Sequence, residues 1–306
     1  MGKIRVLVCM RKFKGGPRIF RERLVQAMSK YDEVEIIHDE HQKFDVELVF
    51  LRKLIHHDKP KIIRVDGCYY EYGRLHQNDE IIKSINEANC IIYQSEFSKK
   101  MCESILKVDK KNYIVHNGIS FDSISSIDPK KNIPPNSFIA CSEWRKNKRP
   151  SSTVLGFLRA KTGCQLYMVG EGKIPHEYRN SPNIHLLGSM QFNELISLYK
   201  ACRYQLHLTY IDSCPNAVVE GLVCGLDVLC TNLGGTREIM RENGVVMDVD
   251  KFGFELSDKK DVDTINPDVT AAHIHKLMKL KTSPDRSYLD INNVAKKYVE
   301  IIKENL

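Results

Sequence analysis

Along nearly the whole chain, short continuous apolar runs alternate with longer amphipathic stretches, and this alternation decides the fold class. The runs are strand-sized, and they lack the polar-apolar alternation of a sheet with one wet face. Strands buried on both faces belong to parallel sheets whose crossovers are helices. In the first half, strands are predicted at Ile4–Cys9, Val34–Ile37, Val46–Phe50, Lys61–Val65, Cys90–Tyr93 and Tyr113–His116, with helices at Pro17–Lys30, Asp79–Ala88 and Ser95–Leu106. From Ser120 to Ser137 the chain is polar, carries Asp128-Pro129 and Pro134-Pro135, and reads as a linker. A second series follows. Its strands are predicted at Phe138–Cys141, Gln165–Val169, Asn183–Leu187, Tyr204–Leu208, Asp227–Cys230 and Gly244–Met247. Its helices are predicted at Pro150–Ala160, Asn193–Ala201, Pro215–Cys224 and Thr236–Arg241, with two more near Pro267–Leu280 and Tyr288–Lys303. The expectation is an α/β protein of two Rossmann-like domains facing each other across a cleft, with ligands beyond the carboxyl ends of the strands. A length of 306 residues accommodates two domains of roughly 150 each.

Composition removes several function classes. At 42% hydrophobic and 28% charged the chain is a folded protein, not a disordered one. No apolar run approaches the roughly 18 residues of a membrane span, and the N-terminus lacks the pattern of a signal peptide, so a cytoplasmic location is expected. Ten cysteines without a C-x-x-C pair or zinc-ligand spacing read as reduced, buried thiols. The net charge of +7 is concentrated early: Lys3, Arg5, Arg11, Lys12, Lys14, Arg18, Arg21, Arg23 and Lys30 stand against Glu22 alone in the first thirty residues. Such a face attracts phosphate, whether on an anionic membrane, a nucleic acid or a ligand, or it is simply a solvated helix face. No nucleic-acid signature accompanies it, so no specific nucleic-acid partner is expected.

Several segments can carry chemistry. Gly15-Gly16-Pro17 lies between the first strand and its helix, where a glycine pair lets backbone approach a ligand at a helix mouth, or simply makes a turn. The stretch Tyr210 to Glu238 is the most informative. Asp212 follows a strand, Ser213 or Cys214 is predicted to cap a helix whose first turn holds Pro215, and Glu220 lies about 1.5 turns inside. Gly234-Gly235-Thr236 then opens a second helix. Two helix mouths with carboxylates nearby suit a molecule carrying both phosphates and hydroxyls.

These residues resemble the family 4 retaining glycosyltransferases (glycosyl transferases group 1), which have the GT-B fold and a Glu-x7-Glu motif followed by G-G-x-x-E. The chain offers Asp212-x7-Glu220, Pro215, Gly225 and Gly235-Thr236-Arg237-Glu238, with Asp212 where Glu is usual and Gly221 where Ala is usual. Tyr93-Gln94-Ser95-Glu96-Phe97-Ser98, Val115-His116-Asn117-Gly118, Val169-Gly170-Glu171-Gly172 and Leu187-Gly188-Ser189-Met190 are similar to further segments of that family. Ser142-Glu143-Trp144-Arg145-Lys146-Asn147-Lys148-Arg149-Pro150 resembles the segment that supplies paired cations to the donor diphosphate.

The resemblance implies Asp212, Arg145, Lys148 and Asp66 as catalytic residues, with Asp66 of Arg64-Val65-Asp66-Gly67 on the acceptor side. It implies Gly16, Arg149, Gly170, Met190, Ser213, Cys214, Asn216, Glu220, Gly235, Thr236 and Glu238 as donor-binding residues. Which of Lys148 and Arg149 takes the lysine role stays open. The implied domains are residues 1–135 on the acceptor side, 136–285 for the nucleotide-sugar donor, and a helix in 286–306 crossing back to the first. The implied activity is retaining, metal-independent transfer of a sugar from a UDP- or GDP-sugar to a glycan or lipid-linked hydroxyl, with no cofactor and with peripheral contact to an anionic membrane. A nucleotide-sugar 2-epimerase and a basic, non-catalytic scaffold with a degenerate site are the alternatives. Asp248-Val249-Asp250 and Asp261-Val262-Asp263 carry the D-x-D spacing of metal-dependent transferases, sit late in the chain and are discounted.

Overall fold

The computed structural model describes residues 2–8, 15–50, 57–174, 178, 181–249, 251–256, 262–280 and 285–306. They form two compact units. The first gathers the described residues of 1–120, 252–258 and 287–306; the second gathers those of 121–251 and 259–286.

In the first unit β1 (Ile4–Val8), β2 (Val34–Ile37), β3 (Val46–Phe50), β4 (Lys61–Val65), β5 (Cys90–Tyr93) and β6 (Asn112–Ile114) make one sheet in the order β2-β1-β3-β4-β5-β6. Every pairing is parallel. All residues of β3, β4 and β5 are buried, as strands covered on both faces must be. One face is covered by α1 (Gly16–Met28) and α10 (Ile291–Glu304), whose Phe20, Leu24, Tyr298 and Ile302 pack on Val6, Val8 and Leu48. The other face carries α2 (Asp79–Glu87) and α3 (Glu96–Leu106), with Ile81, Ile85, Cys102 and Leu106 on Ile63, Val65 and Ile91. Ser95 caps α3 in a reciprocal box with Ser98. Between Gly118 and α10 the chain approaches closely: a Cβ on Gly118 would stand 2.9 Å from the Leu289 carbonyl oxygen.

The second unit holds β7 (Phe138–Cys141), β8 (Leu166–Val169), β9 (Ile184–Gly188), β10 (Tyr204–His207), β11 (Asp227–Thr231) and β12 (Gly244–Met247). Their order is β12-β11-β10-β7-β8-β9, again all parallel. The sequence order reverses direction between β7 and β10, the switch point at which sheets of this kind bind ligands. α5 (Pro150–Ala160) and α9 (Pro267–Met278) cover one face, packed so tightly at Gly156 that a Cβ there would lie 2.2 Å from Thr270 Cγ2. The remaining helices are α4 (Phe121–Ser125), α6 (Phe192–Ala201), α7 (Asn216–Val223) and α8 (Thr236–Met240).

Two features depart from the sequence reading. Residues 121–135 group with the second unit and are not a free linker. They are tied to α6, where Lys200 Nζ donates to the carbonyls of Ile124 (2.5 Å) and Ile127 (2.6 Å), and Ser197 Oγ donates to that of Asp128 (2.7 Å). Phe252 and Phe254 also belong to the first unit, with their rings 5.2 Å from Tyr70 and 5.4 Å from Phe97 respectively. The early basic stretch is only partly a surface feature: Arg21 is buried and Arg5 pairs with Asp45 at 3.0 Å. Arg11, Lys12 and Lys14 lie outside the described residues.

Candidate functional site

At the switch point the chain leaving β7 runs Ser142-Glu143-Trp144 into a 3₁₀ turn at Lys146–Lys148. Trp144 is buried in the core and anchors the loop, its backbone N–H donating to the Glu171 carbonyl at 2.7 Å. That pairing requires glycine on the β8 side: Gly170 has φ 108° and a Cβ there would lie 1.9 Å from the Ser142 carbonyl oxygen. Gly172 (φ 130°) lies equally close to Trp144. The family-like glycines therefore have a structural duty of their own, closing one exit loop on the next.

The chain leaving β10 meets this loop. Tyr210 N–H donates to the Asn147 carbonyl at 2.8 Å, and Lys148 Nζ donates to Asp212 Oδ2 at 2.7 Å. Burial alone would push the Asp212 carboxyl up, but the Lys148 charge and hydrogen bond, with the Cys214 backbone N–H, outweigh it and hold the carboxyl below its usual range. His207 sits nearby at the end of β10. Burial drives its pKa down to about 4, with Asp212 raising it and Lys148 lowering it. Its Nε2 has no hydrogen-bond partner among the described residues.

Asp212 also organises the second helix mouth through its main chain. Gly235 N–H donates to the Asp212 carbonyl at 2.9 Å, and Gly234 (φ 96°) passes so close that a Cβ would lie 2.4 Å from that oxygen. Thr236 is buried at the start of α8, and Glu238 follows half-buried. One residue thus meets a cation with its side chain and the Gly-Gly turn with its backbone.

The start of α7 differs from expectation. Pro215 itself is the N-cap, and the helix opens at Asn216 with no side-chain cap bond among the described residues. Proline at this position has no N–H to leave unsatisfied; neither Ser213 nor Cys214 is the cap, and the Cys214 N–H serves Asp212. Ser213 is half-buried and Cys214 buried. Glu220 is buried on α7. The unusual glycine after it has a steric cause: a Cβ on Gly221 would lie 2.1 Å from Gln205 Oε1 and 3.4 Å from the Tyr199 ring.

The remaining cations separate clearly. Arg145 keeps 62% of its side chain exposed and pairs with Glu143 at 3.3 Å. Arg149 adopts φ 50° and turns inward, donating from Nε to the Asp263 carbonyl at 3.2 Å with its guanidinium over the Tyr210 ring. Of the two residues left open by the sequence, Lys148 is the one that reaches Asp212. A 720 Å³ cavity lined by Trp144, Arg145, Lys146, Arg149, Glu171 and Lys173, among others, lies alongside. Gly170 and half-buried Met190 stand at the exits of β8 and β9, where Glu171 Oε1 accepts from the Ser189 N–H at 3.1 Å.

Two predicted site residues belong to the first unit. Gly16 opens α1 behind Gly15, which has φ 76°. Asp66 follows β4, where Arg64 donates to it from Nη1 and to Asn117 Oδ1 from Nη2 at 2.6 Å. Arg64, Asn117 and His207 carried no role in the sequence reading. A charged residue inside Ile62-Ile63-Arg64-Val65 was the available signal, because a buried guanidinium demands partners. Among the described residues no group of three or more His, Cys, Asp or Glu is placed to hold a metal ion. Asp248 accepts from Asn232 Nδ2 at 2.7 Å, while Asp250 and Asp261 lie outside the described residues. All nine described cysteines are free thiols, and no described helix is long and apolar enough to cross a membrane.

Comparison with known proteins agrees with this layout. Residues 152–259 match the family model described as Glycosyl transferases group 1. No curated protein matches the sequence. Among solved structures, sucrose-phosphate synthase from Thermosynechococcus elongatus is similar at TM-score 0.72 and 11% identity, covering 99% of both chains. HepE from Anabaena, solved with UDP-glucose, is similar at TM-score 0.63 and 11% identity over 98% of this chain and 100% of that one. The trehalose-6-phosphate protein of E. coli, bound with UDP-2-fluoro glucose, is similar at TM-score 0.66 and 9% identity over 99% of each chain. The fold of the chain is GT-B, built from two Rossmann-like units.

Proposed function

We propose that the protein is a retaining, family 4-type glycosyltransferase that moves a sugar from a UDP- or GDP-sugar to a hydroxyl of a glycan or lipid-linked acceptor. The observation that carries this reading is Asp212. Its carboxylate is paired to Lys148 and its backbone to the Gly235 turn, at the sheet's switch point, with Glu220 buried on the helix that follows. In this reading Lys148 and the mobile-length side chain of Arg145 meet the donor diphosphate as negative charge builds on the leaving group. Backbone N–H groups at Asn216 and Thr236 add oriented dipoles, Glu220 binds the ribose hydroxyls, and Gly170 and Met190 border the nucleobase. Asp66 meets the acceptor hydroxyl. The family match over residues 152–259 and neighbours solved with UDP-glucose or its fluoro analogue support a nucleotide-sugar donor.

A thermal-shift screen of UDP-, GDP-, ADP- and dTDP-sugars identifies the donor, and transfer read by NMR at the anomeric carbon tests retention. Transfer is expected to persist in EDTA. Lys148→Ala is expected to lower turnover on the order of 100-fold, the scale of losing one preorganised charge at a developing anion. A chain that no nucleoside diphosphate stabilises, or a Lys148→Ala variant with unchanged turnover, overturns the reading.

A further inference from the structure

Gln205 is an amide in the middle of the second sheet, on a strand flanked by β7 and β11, and it is fully buried. Its strand neighbours Tyr204 and Leu206 pack into the core beneath α5 and α9, so the alternation of the strand sends Gln205 to the opposite face, where α7 lies. There Nε2 donates to the Ala217 carbonyl in the first turn of α7 at 2.9 Å, while Oε1 takes no partner among the described residues. Gly221 stands one turn further along the same face of the helix. A Cβ there would lie 2.1 Å from Gln205 Oε1 and 2.9 Å from its Cδ, so the amide occupies the space that any larger residue would need. Both halves of this arrangement work against stability: an interior glycine is a poor helix former, and a buried acceptor without a donor is unfavourable. A small apolar residue on the strand with alanine on the helix would fill the same space without either penalty.

We infer that Gln205 and Gly221 are a matched pair that fixes the seat of α7 on β10, and that Gln205 is thereby a positioning residue for the nucleoside diphosphate half of the donor. The inference rests on the proposed transferase reading, in which Asn216 and Glu220 of α7 meet the donor. Apolar packing is non-directional and lets a helix slide or turn on a sheet, whereas a hydrogen bond of fixed length and angle to one carbonyl does not. The bond lies at Ala217, next to Asn216, and the glycine lies next to Glu220, so each donor-side residue of α7 has a neighbour seated against the strand. The loop leading into the helix is held separately, by Lys148 and Gly235 at Asp212.

The test compares Gln205→Val, Gly221→Ala and the pair in the full chain. Calorimetry gives Tm, isothermal titration gives Kd for UDP, GDP, ADP and dTDP, and transfer gives donor KM and kcat. Valine removes the amide and alanine then fits, so the pair should regain most of the Tm that Gln205→Val loses. Donor binding should not return with it. Kd for the nucleoside diphosphate that wild type prefers, and donor KM, should rise about tenfold in all three variants without multiplying in the pair, because each change removes the same hydrogen bond. At saturating donor kcat should stay within about twofold, as expected when binding is lost equally from ground and transition states. Wild-type Kd in the pair, or in either single variant, overturns the inference and leaves the transferase reading standing. A pair no more stable than Gln205→Val overturns the matching of the two residues and the inference with it. A wild type that binds no nucleoside diphosphate removes the transferase reading, and the inference falls with that reading.

Discussion

His207 makes the second unit sensitive to mild acid in a way that can be isolated. It is 6% exposed, and burial lowers its pKa from 6.5 to about 4 against the opposing pull of Asp212 and with the help of Lys148. The unfolded chain takes up a proton near pH 6.5, whereas the folded unit resists it until about pH 4. A depressed histidine pKa means that the stabilising contribution is complete above pH 6.5 and decays as the pH falls towards 4. The gap corresponds to about 3 kcal/mol in total, of which about 2.5 kcal/mol is lost by pH 4.5. The contribution from Asp212, whose carboxyl is held low, decays mainly below its ordinary 3.8, so little of it is lost by pH 4.5. Urea unfolding of wild type and His207→Gln at pH 7 and pH 4.5 reads the difference. Wild type should lose about 2.5 kcal/mol more than the variant between these pH values, since glutamine fills a similar space and does not titrate. Equal losses in both proteins would refute the reasoning, because they would mean that His207 is protonated in the folded unit at the same pH as in the unfolded chain.

Three further outcomes follow from described contacts. Gly170→Ala sets a Cβ 1.9 Å from the Ser142 carbonyl at φ 108°, so it should cost about 3 kcal/mol of stability and weaken donor binding, both measurable by calorimetry. Asp227 is fully buried between Arg203 (2.8 Å) and Arg286 (3.4 Å), and Asp227→Ala, which strands the largely buried Arg286, should lower the urea midpoint by an amount equal to about 3 kcal/mol. Iodoacetamide followed by mass spectrometry at pH 8 should label half-buried Cys68 and Cys164 first among the described thiols. Cys90, with its pKa pushed to about 11, and Cys141, Cys202, Cys224 and Cys230, pushed to about 12, should lag.

The sheets were legible in the sequence because parallel strands buried on both faces leave uninterrupted apolar runs. Val34–Ile37, Val46–Phe50, Lys61–Val65, Cys90–Tyr93, Phe138–Cys141 and Gly244–Met247 occur with the predicted bounds. The seven-residue 3₁₀ segment Tyr72–Asn78 and the short α4 carry no period long enough to read, and the docking of residues 121–135 depends on Lys200, far away in sequence. At the site, spacing identified the segments but not the direction of each side chain. Arg149 and Lys148 are neighbours of identical charge in the sequence; the left-handed backbone at Arg149 turns one inward to Asp263 while the other meets Asp212. Gly221 stands where the family-like pattern has alanine, and the reason lies with Gln205, sixteen residues earlier on β10. Asp227 likewise has its reason in a pair of arginines, Arg203 and Arg286, that no local window contains.

The packing of α10 on β1, β3 and α1 has a consequence for biosynthesis. The first unit's core includes Val294, Ala295, Tyr298, Val299 and Ile302, which emerge from the ribosome only after the entire second unit has been made. At roughly 5–20 residues per second, the nascent Val6, Val8, Phe20 and Leu24 wait on the order of ten seconds or more without the helix that covers them. Residues 294–302 therefore end the exposure of residues 6–24 only after the second unit has been made, and the interval between them is when this chain most depends on chaperones.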